Sequence, residues 1–295
     1  MDDYTAAAEV LRYAAFTTDP AGGNPAGVVL DATGLDDATQ LAVAAELGYS
    51  ETAFLLPVAG DGRRFAVRYF SPKAEVPFCG HATVAAAVAL GERIGAGELL
   101  FDTLAGPVPV LVEPGPGDTL AATLTSVEPH VEPVAPQDLT EALAALGWQE
   151  EELDPLLPPR IAYAGARHLV LAAATRARLA DLSYDFERLA ALMTALDLTT
   201  LQLVHRTGER EFDVRDPFPV GGVVEDPATG AAAAAFGAYL RELHGLTEAE
   251  LTLHQGDDLG RPGILRVGLR AGDPRVRVSG TAVAIPLDPR PRAAG

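Results

Sequence analysis

One cysteine, one lysine, one tryptophan and two methionines are all that 295 residues contain of those four types. The single Cys79 excludes an internal disulfide and suits a reducing compartment. Lys73 stands beside 21 arginines (22 − 1), a skew that speaks of a GC-rich genome rather than a function. No apolar run approaches the length of a membrane-spanning helix. Met1-Asp2-Asp3-Tyr4 has no basic segment, so no secretory leader is expected and the chain reads as cytoplasmic. Positive charge is scarce too. A net charge of −19 argues against nucleic acid or anionic membranes as partners, while leaving room for a small anion that feels only its own pocket. Metal-ligand spacing is also missing: His130, His168, His205, His244 and His254 are scattered, and Asp257-Asp258 lacks the acidic periodicity of a calcium loop. No metal and no cofactor are expected.

What the chain does have is an internal repeat, which fixes architecture before any other reading. The stretch from Phe65 to Leu90 resembles that from Phe212 to Leu240. Phe65, Val67 and Arg68 match Phe212, Val214 and Arg215 at one offset (212 − 65 = 147), and at that offset Cys79 falls on Asp226. Each copy reads as an alternating strand, a Gly/Pro-rich loop and a helix of small apolar residues, Ala82 to Leu90 and Ala231 to Leu240. A helix without a polar face is a buried one, so each is expected to run along the axis of a curved sheet. Helix N-termini carry unpaired N–H groups and partial positive charge. Two of them brought together across a cleft would suit a small carboxylate.

The remaining pattern is α/β with mixed, largely antiparallel sheets. Strands are expected over Ala8 to Phe16, Ala26 to Leu30, Ala53 to Leu56, Leu99 to Val112 (two strands), Leu120 to Thr125, Leu169 to Ala173, Leu201 to His205, Leu251 to Gln255, Ile264 to Leu269 and Arg275 to Ile285. Helices are expected over Asp36 to Leu47, Leu139 to Leu146 and Asp185 to Leu196. Glu113-Pro-Gly-Pro-Gly-Asp118 marks the best boundary, dividing an N-terminal half (1–118) from a C-terminal half (119–272). Residues 287–295 read as a frayed tail, and Trp148 as an anchor of the second core.

Six motifs stand in order: Gly23-Asn-Pro-Ala-Gly-Val28, Ser50-Glu-Thr-Ala-Phe54, Pro77-Phe-Cys-Gly-His-Ala-Thr83, Glu225-Asp-Pro-Ala-Thr-Gly230, Gln255-Gly with Gly260-Arg-Pro262, and Val278-Ser-Gly280. Together they resemble the PhzF family of phenazine-biosynthesis-like isomerases, which share the diaminopimelate epimerase fold. The resemblance implies two pseudo-symmetric domains, a cofactor-free site in the cleft between them, a last strand (273–286) returning to the first domain, and a homodimer. It implies Glu51 as the acid/base carboxylate, with His81 and Asp226 as catalytic partners that also orient the substrate. Gly80 and Gly230 would offer backbone N–H groups, and Ser50, Thr229 and Ala231 would line the pocket. Ala231 departs from the family, where a serine follows the Thr-Gly in its best-characterised branch. Diaminopimelate epimerases use one cysteine from each half. This chain has only one, and Cys79 reads as a packing residue.

The reading that follows is a cofactor-independent isomerase or epimerase moving a proton on a small carboxylated metabolite. Two alternatives stand beside it: a one-thiol racemase or dehydratase in which Cys79 works with Glu51, and a catalytically silent metabolite-binding or scaffold protein.

Overall fold

The computed structural model describes residues 8–286; the expected tail, 287–295, lies outside them. Two rings of strands wrap two helices. In the first ring the neighbours are Leu11–Ala15, Asn24–Val29, Thr52–Pro57, Arg64–Phe70, Gly97–Thr103, Gly106–Pro114, Leu120–Thr125 and Asp273–Ala284, which pairs back onto Leu11–Ala15. The second runs Arg160–Tyr163, Arg167–Ala172, Thr200–Arg206, Glu211–Pro217, Ala249–Gln255, Gly263–Arg270 and again Asp273–Ala284. The chain beyond Leu120–Thr125 closes that ring, because His130–Pro133 pairs with Arg160–Tyr163. Most ladders are antiparallel. In each ring two are parallel, in equivalent places.

The helices on the two axes are Gly80–Ile94 and Gly230–His244. Every residue from His81 to Gly91 is buried, as is Ala232 to Leu240. Alanine and glycine allow this, since a bulkier helix would not fit inside so tight a ring: a Cβ on Gly91 would overlap Val112, and one on Gly237 would overlap Val267. Both helices run one turn beyond the expected ends. The added turns, Glu92-Arg93-Ile94 and Arg241 to His244, emerge from the ring and carry the charges absent from the buried part.

Helices that bury one face cover the outside. Asp37–Leu47 packs on the first sheet with Asp36 as its N-cap, and Phe186–Ala195 occupies the equivalent place on the second with Asp185. Capping carboxylates fit there because the first-turn N–H groups lack partners. Trp148 is fully buried between Pro136–Leu146 and the second sheet, with the Arg178 guanidinium over its ring. Among the described residues no helix is long and apolar enough to cross a membrane.

Candidate active site

The two axial helices point their N-termini at each other. A Cβ built on Gly80 would lie 3.9 Å from the Gly230 Cα, so the first turns meet where the halves join. Neither N-cap residue, Cys79 or Thr229, caps its helix with a side-chain hydrogen bond. Structural equivalence therefore runs at an offset of 150 (230 − 80; 229 − 79), against 147 at the strands. Cys79 answers to Thr229, and the alignment of Cys79 with Asp226 is corrected. The cause is a longer connection in the second copy, where Phe218 to Val224 forms a short 3-10 turn in place of the tight Ser71–Ala74 turn.

Around this junction the side chains expected at the site come together. Glu51 sits just before the strand Thr52–Pro57, its side chain 17% exposed, with Oε2 3.4 Å from Cys79 Sγ and 3.5 Å from His81 Nε2. Ser50 Oγ is 3.2 Å from the same His81 nitrogen. From the second half Asp226 enters, accepting a hydrogen bond from the Thr229 hydroxyl at 2.6 Å. Gln255 braces that loop: it donates to the Asp226 carbonyl at 2.9 Å and accepts from the Thr229 N–H at 3.0 Å. Ala231, on the first turn of its helix, is half-buried and adds only a methyl group.

Cys79 is more than packing. Its sulfur touches Glu51 and lies 3.4 Å from His81 Nδ1. Burial pushes the thiol well above its usual range, and the neighbouring Glu51 charge adds to the rise. At neutral pH it is an S–H donor to Glu51 rather than a thiolate.

Sequence reasoning did not single out Asn24, which lay in plain view within the Gly-Asn-Pro motif. It is 1% exposed, and its Nδ2 lies 2.8 Å from Asp226 Oδ1, 3.1 Å from the Ala228 carbonyl and 3.2 Å from His81 Nδ1. Its backbone is held by the turn before it. Gly23 has φ +52, and a Cβ there would come 2.1 Å from the Ala15 carbonyl oxygen. Arg261, from the second half, donates to the Gly22 and Gly23 carbonyls at 2.7 and 2.9 Å. Phe16 is wedged beneath, at a left-handed φ of 65 that a bulky residue rarely adopts. A Cβ on Gly280 would lie 2.3 Å from its ring. Three of the six motifs, those of Asn24, of Gln255 with Arg261 and of Gly280, thus serve to hold the other three.

The electrostatics suit proton transfer. Burial raises the Glu51 carboxyl above the ordinary carboxylate range, opposed by hydrogen bonds to Ser50 and Cys79. Burial lowers His81, with the Asp226 charge pulling the other way, so the imidazole is neutral at pH 7. Asp226 is raised by burial, opposed by His81, Thr229 and Asn24 and reinforced by Glu51.

Neutral His81 must place one proton. Asn24 turns its amide nitrogen, a donor, toward Nδ1 at 3.2 Å. Among the described residues the only other group near Nδ1 is the weakly accepting Cys79 sulfur at 3.4 Å, so the contacts favour an unprotonated Nδ1. The proton is therefore on Nε2, toward Ser50, Glu51 and the cleft. This bears on metals. The ligand atoms of Glu51, Cys79 and His81 lie within 4.8 Å of one another, close to the edges of a tetrahedron about a zinc-sized ion. At separations of 3.4 and 3.5 Å from Glu51 Oε2 to Cys79 Sγ and His81 Nε2 the trio is already a hydrogen-bonded set, and a metal there would have to displace its protons.

Comparison with known proteins gives the same picture. A family model described as phenazine biosynthesis-like protein matches residues 13–286. An uncharacterized isomerase of Escherichia coli K12, YddE, is 35% identical over 94% of this chain and 96% of its own length. The trans-2,3-dihydro-3-hydroxyanthranilate isomerase of Pseudomonas chlororaphis is 32% identical over 91% and 94%. A Bacillus anthracis phenazine biosynthesis protein of the PhzF family superposes with a TM-score of 0.84 at 27% identity, covering 94% of this chain and 96% of that one. With the match running through both rings, the chain belongs to the phenazine biosynthesis-like, or PhzF, family and is an enzyme of the isomerase and epimerase kind.

Proposed function

We propose that the protein isomerises a small carboxylated metabolite by moving one proton, with Glu51 as the carrier. The observation that supports this best is the placement of Glu51: a largely buried carboxylate, raised by desolvation, beside the meeting point of two uncapped helix N-termini. The substrate carboxylate would rest on the N–H groups of the first turns, from Gly80 and His81 on one side and Gly230 and Ala231 on the other. Glu51 takes a proton from an activated carbon and becomes the acid. The electron pair left behind delocalises through the conjugated system, and Glu51 returns the proton at another carbon, so nothing is gained or lost. His81, through Nε2–H, and the helix ends stabilise the charge that develops, the kind of contribution that is large in a dry site. Asp226 and Thr229 hold the opposite wall.

Thr229 speaks against an inversion by paired thiols. It occupies the place equivalent to Cys79, and an alcohol is far too weak an acid to serve as its basic counterpart at neutral pH. The one-thiol alternative loses support for a related reason, since the Cys79 sulfur is protonated and directed at Glu51.

The relative from Pseudomonas chlororaphis is named for trans-2,3-dihydro-3-hydroxyanthranilate, which makes this compound the first to offer. In deuterium oxide, turnover by the parent should place solvent deuterium in the product, and Glu51→Gln should bind but not exchange. Exchange undiminished in a folded Glu51→Gln protein overturns the assignment of the carrier. Binding without exchange by the parent, for this compound and a panel of related carboxylates, would favour the silent binding protein.

A further inference from the structure

Asn24 belongs to the first half by sequence and to both halves by contact. Its amide meets His81 from one side of the cleft and Asp226 and Ala228 from the other. The turn that carries it is held by Arg261 of the second half. We propose that Asn24 is a positioning residue that holds His81 in the Nε2–H tautomer and couples that state to the second half's seat against the first.

The coupling is geometric. The two N–H bonds of the amide stay on the Asp226 and Ala228 oxygens only while the loop Glu225 to Thr229 is docked against the turn Gly22-Gly23-Asn24. If that loop draws back, the amide can rotate and present its oxygen to Nδ1. The imidazole then holds its proton on Nδ1 and turns a bare Nε2 to Glu51, where two electron-rich groups would face each other and no donor would be left for the substrate. His81 therefore donates into the cleft when the halves are docked and loses that capacity when they part. The role rests on the acid–base reading of this site, but the tautomer can be read without any substrate.

The test is a histidine-labelled 15N correlation spectrum of the full chain, in which the two ring nitrogens of each tautomer have distinct shifts. The signals of His81 are identified by their loss in His81→Asn. In the parent, Nδ1 should appear unprotonated and Nε2 protonated. Asn24→Asp keeps the size but puts an acceptor against Nδ1. It should move the proton to Nδ1 and raise the pH at which His81 titrates. The charged or titratable groups facing His81 are Glu51, Cys79 and Asp226, and all three remain in the variant. Asn24→Ser, which fills the site less well but stays neutral, should give mixed tautomers and a loss in kcat of about tenfold or more with KM little changed. A parent with Nδ1 protonated, or an unchanged His81 spectrum in a folded Asn24→Asp protein, overturns the proposal. Failure of Glu51→Gln to abolish exchange would instead strike the functional reading and leave the tautomer result standing.

Discussion

The two copies of the repeat share their scaffold and differ in their chemistry. In the first, Arg68 grips Glu75 through two hydrogen bonds of 2.7 Å. In the second, Arg215 grips Glu225 in the same two-pronged way, at 2.5 and 3.0 Å. Both clamps pin the loop that enters an axial helix, and both helices begin on glycine. The differences lie in what surrounds this frame. Where the first copy has Cys79 and His81, the second has Thr229 and Ala231. The hydroxyl of Tyr69 meets Thr83 beneath the first helix, whereas the same strand position in the second copy is Asp216, a fully buried carboxyl. The frame demands particular residues wherever it occurs, while the groups it presents were free to diverge. The first copy presents an imidazole and a thiol beside Glu51, which comes from the chain before it, and the second a carboxylate and a hydroxyl.

The sharpest break of this comparison is Glu51→Gln. General acid–base help from one group is worth about 10²- to 10⁴-fold, so turnover should fall by at least that range while ligand binding, followed by calorimetry, survives. The clamps should break unequally. Arg215 and Glu225 are almost wholly buried, with side chains 10% and 1% exposed, and removing one partner of such a pair costs about 3–5 kcal/mol. Arg68→Ala, at the more open copy, should cost at most about 1 kcal/mol. Urea unfolding of the two variants measures both. Equal losses would mean that the clamps serve the frame alike whatever their burial.

Asp216 sharpens the contrast through pH. Burial first, then the charges of Asp226 and Glu225, hold it well above its usual range, against hydrogen bonds from Thr229 and Gln255. A carboxyl with a raised folded-state pKa keeps its proton in the native protein where the unfolded chain releases it. Stability therefore declines as pH climbs from the ordinary carboxylate range toward the raised value. Asp216→Asn should flatten that decline in melting temperature against pH, and an unchanged slope would remove Asp216 as its source. The smallest effect is expected of Cys79→Ser. The hydroxyl can donate to Glu51 as the thiol does, so turnover should fall less than tenfold, about 1.4 kcal/mol of barrier. A larger loss in a folded variant would restore the thiol mechanism.

Much of this was legible in the chain itself, and the failures have physical causes. The axial helices announced themselves because burial on every side leaves no polar face to disguise them. Glu51, His81 and Asp226 were legible through the motifs that carry them, and the structure brings all three together. The wrong pairing of Cys79 came from assuming one offset throughout, when an insertion between strand and helix is the cheapest change a repeat can undergo. The strands His130–Pro133 and Arg160–Tyr163 and the helix Arg176–Ala180 went unread, being too short and too irregular in pattern to show a period. Asn24 looked like a turn residue before a proline and Asp216 like the end of the repeat strand; the structure puts both in strands, Asn24–Val29 and Glu211–Pro217. Their second roles depend on partners up to 204 positions distant, and no local pattern encodes that.

The long strand Asp273–Ala284 closes both rings, and its position in the chain has a consequence for synthesis. The ribosome delivers the first ring's other seven strands long before this one. Until it arrives, Leu11–Ala15 and Leu120–Thr125 each lack a neighbour, and an unpaired strand edge is a template for the wrong partner. The nascent protein carries both open seams from the time Leu120–Thr125 emerges until Asp273–Ala284 has left the exit tunnel.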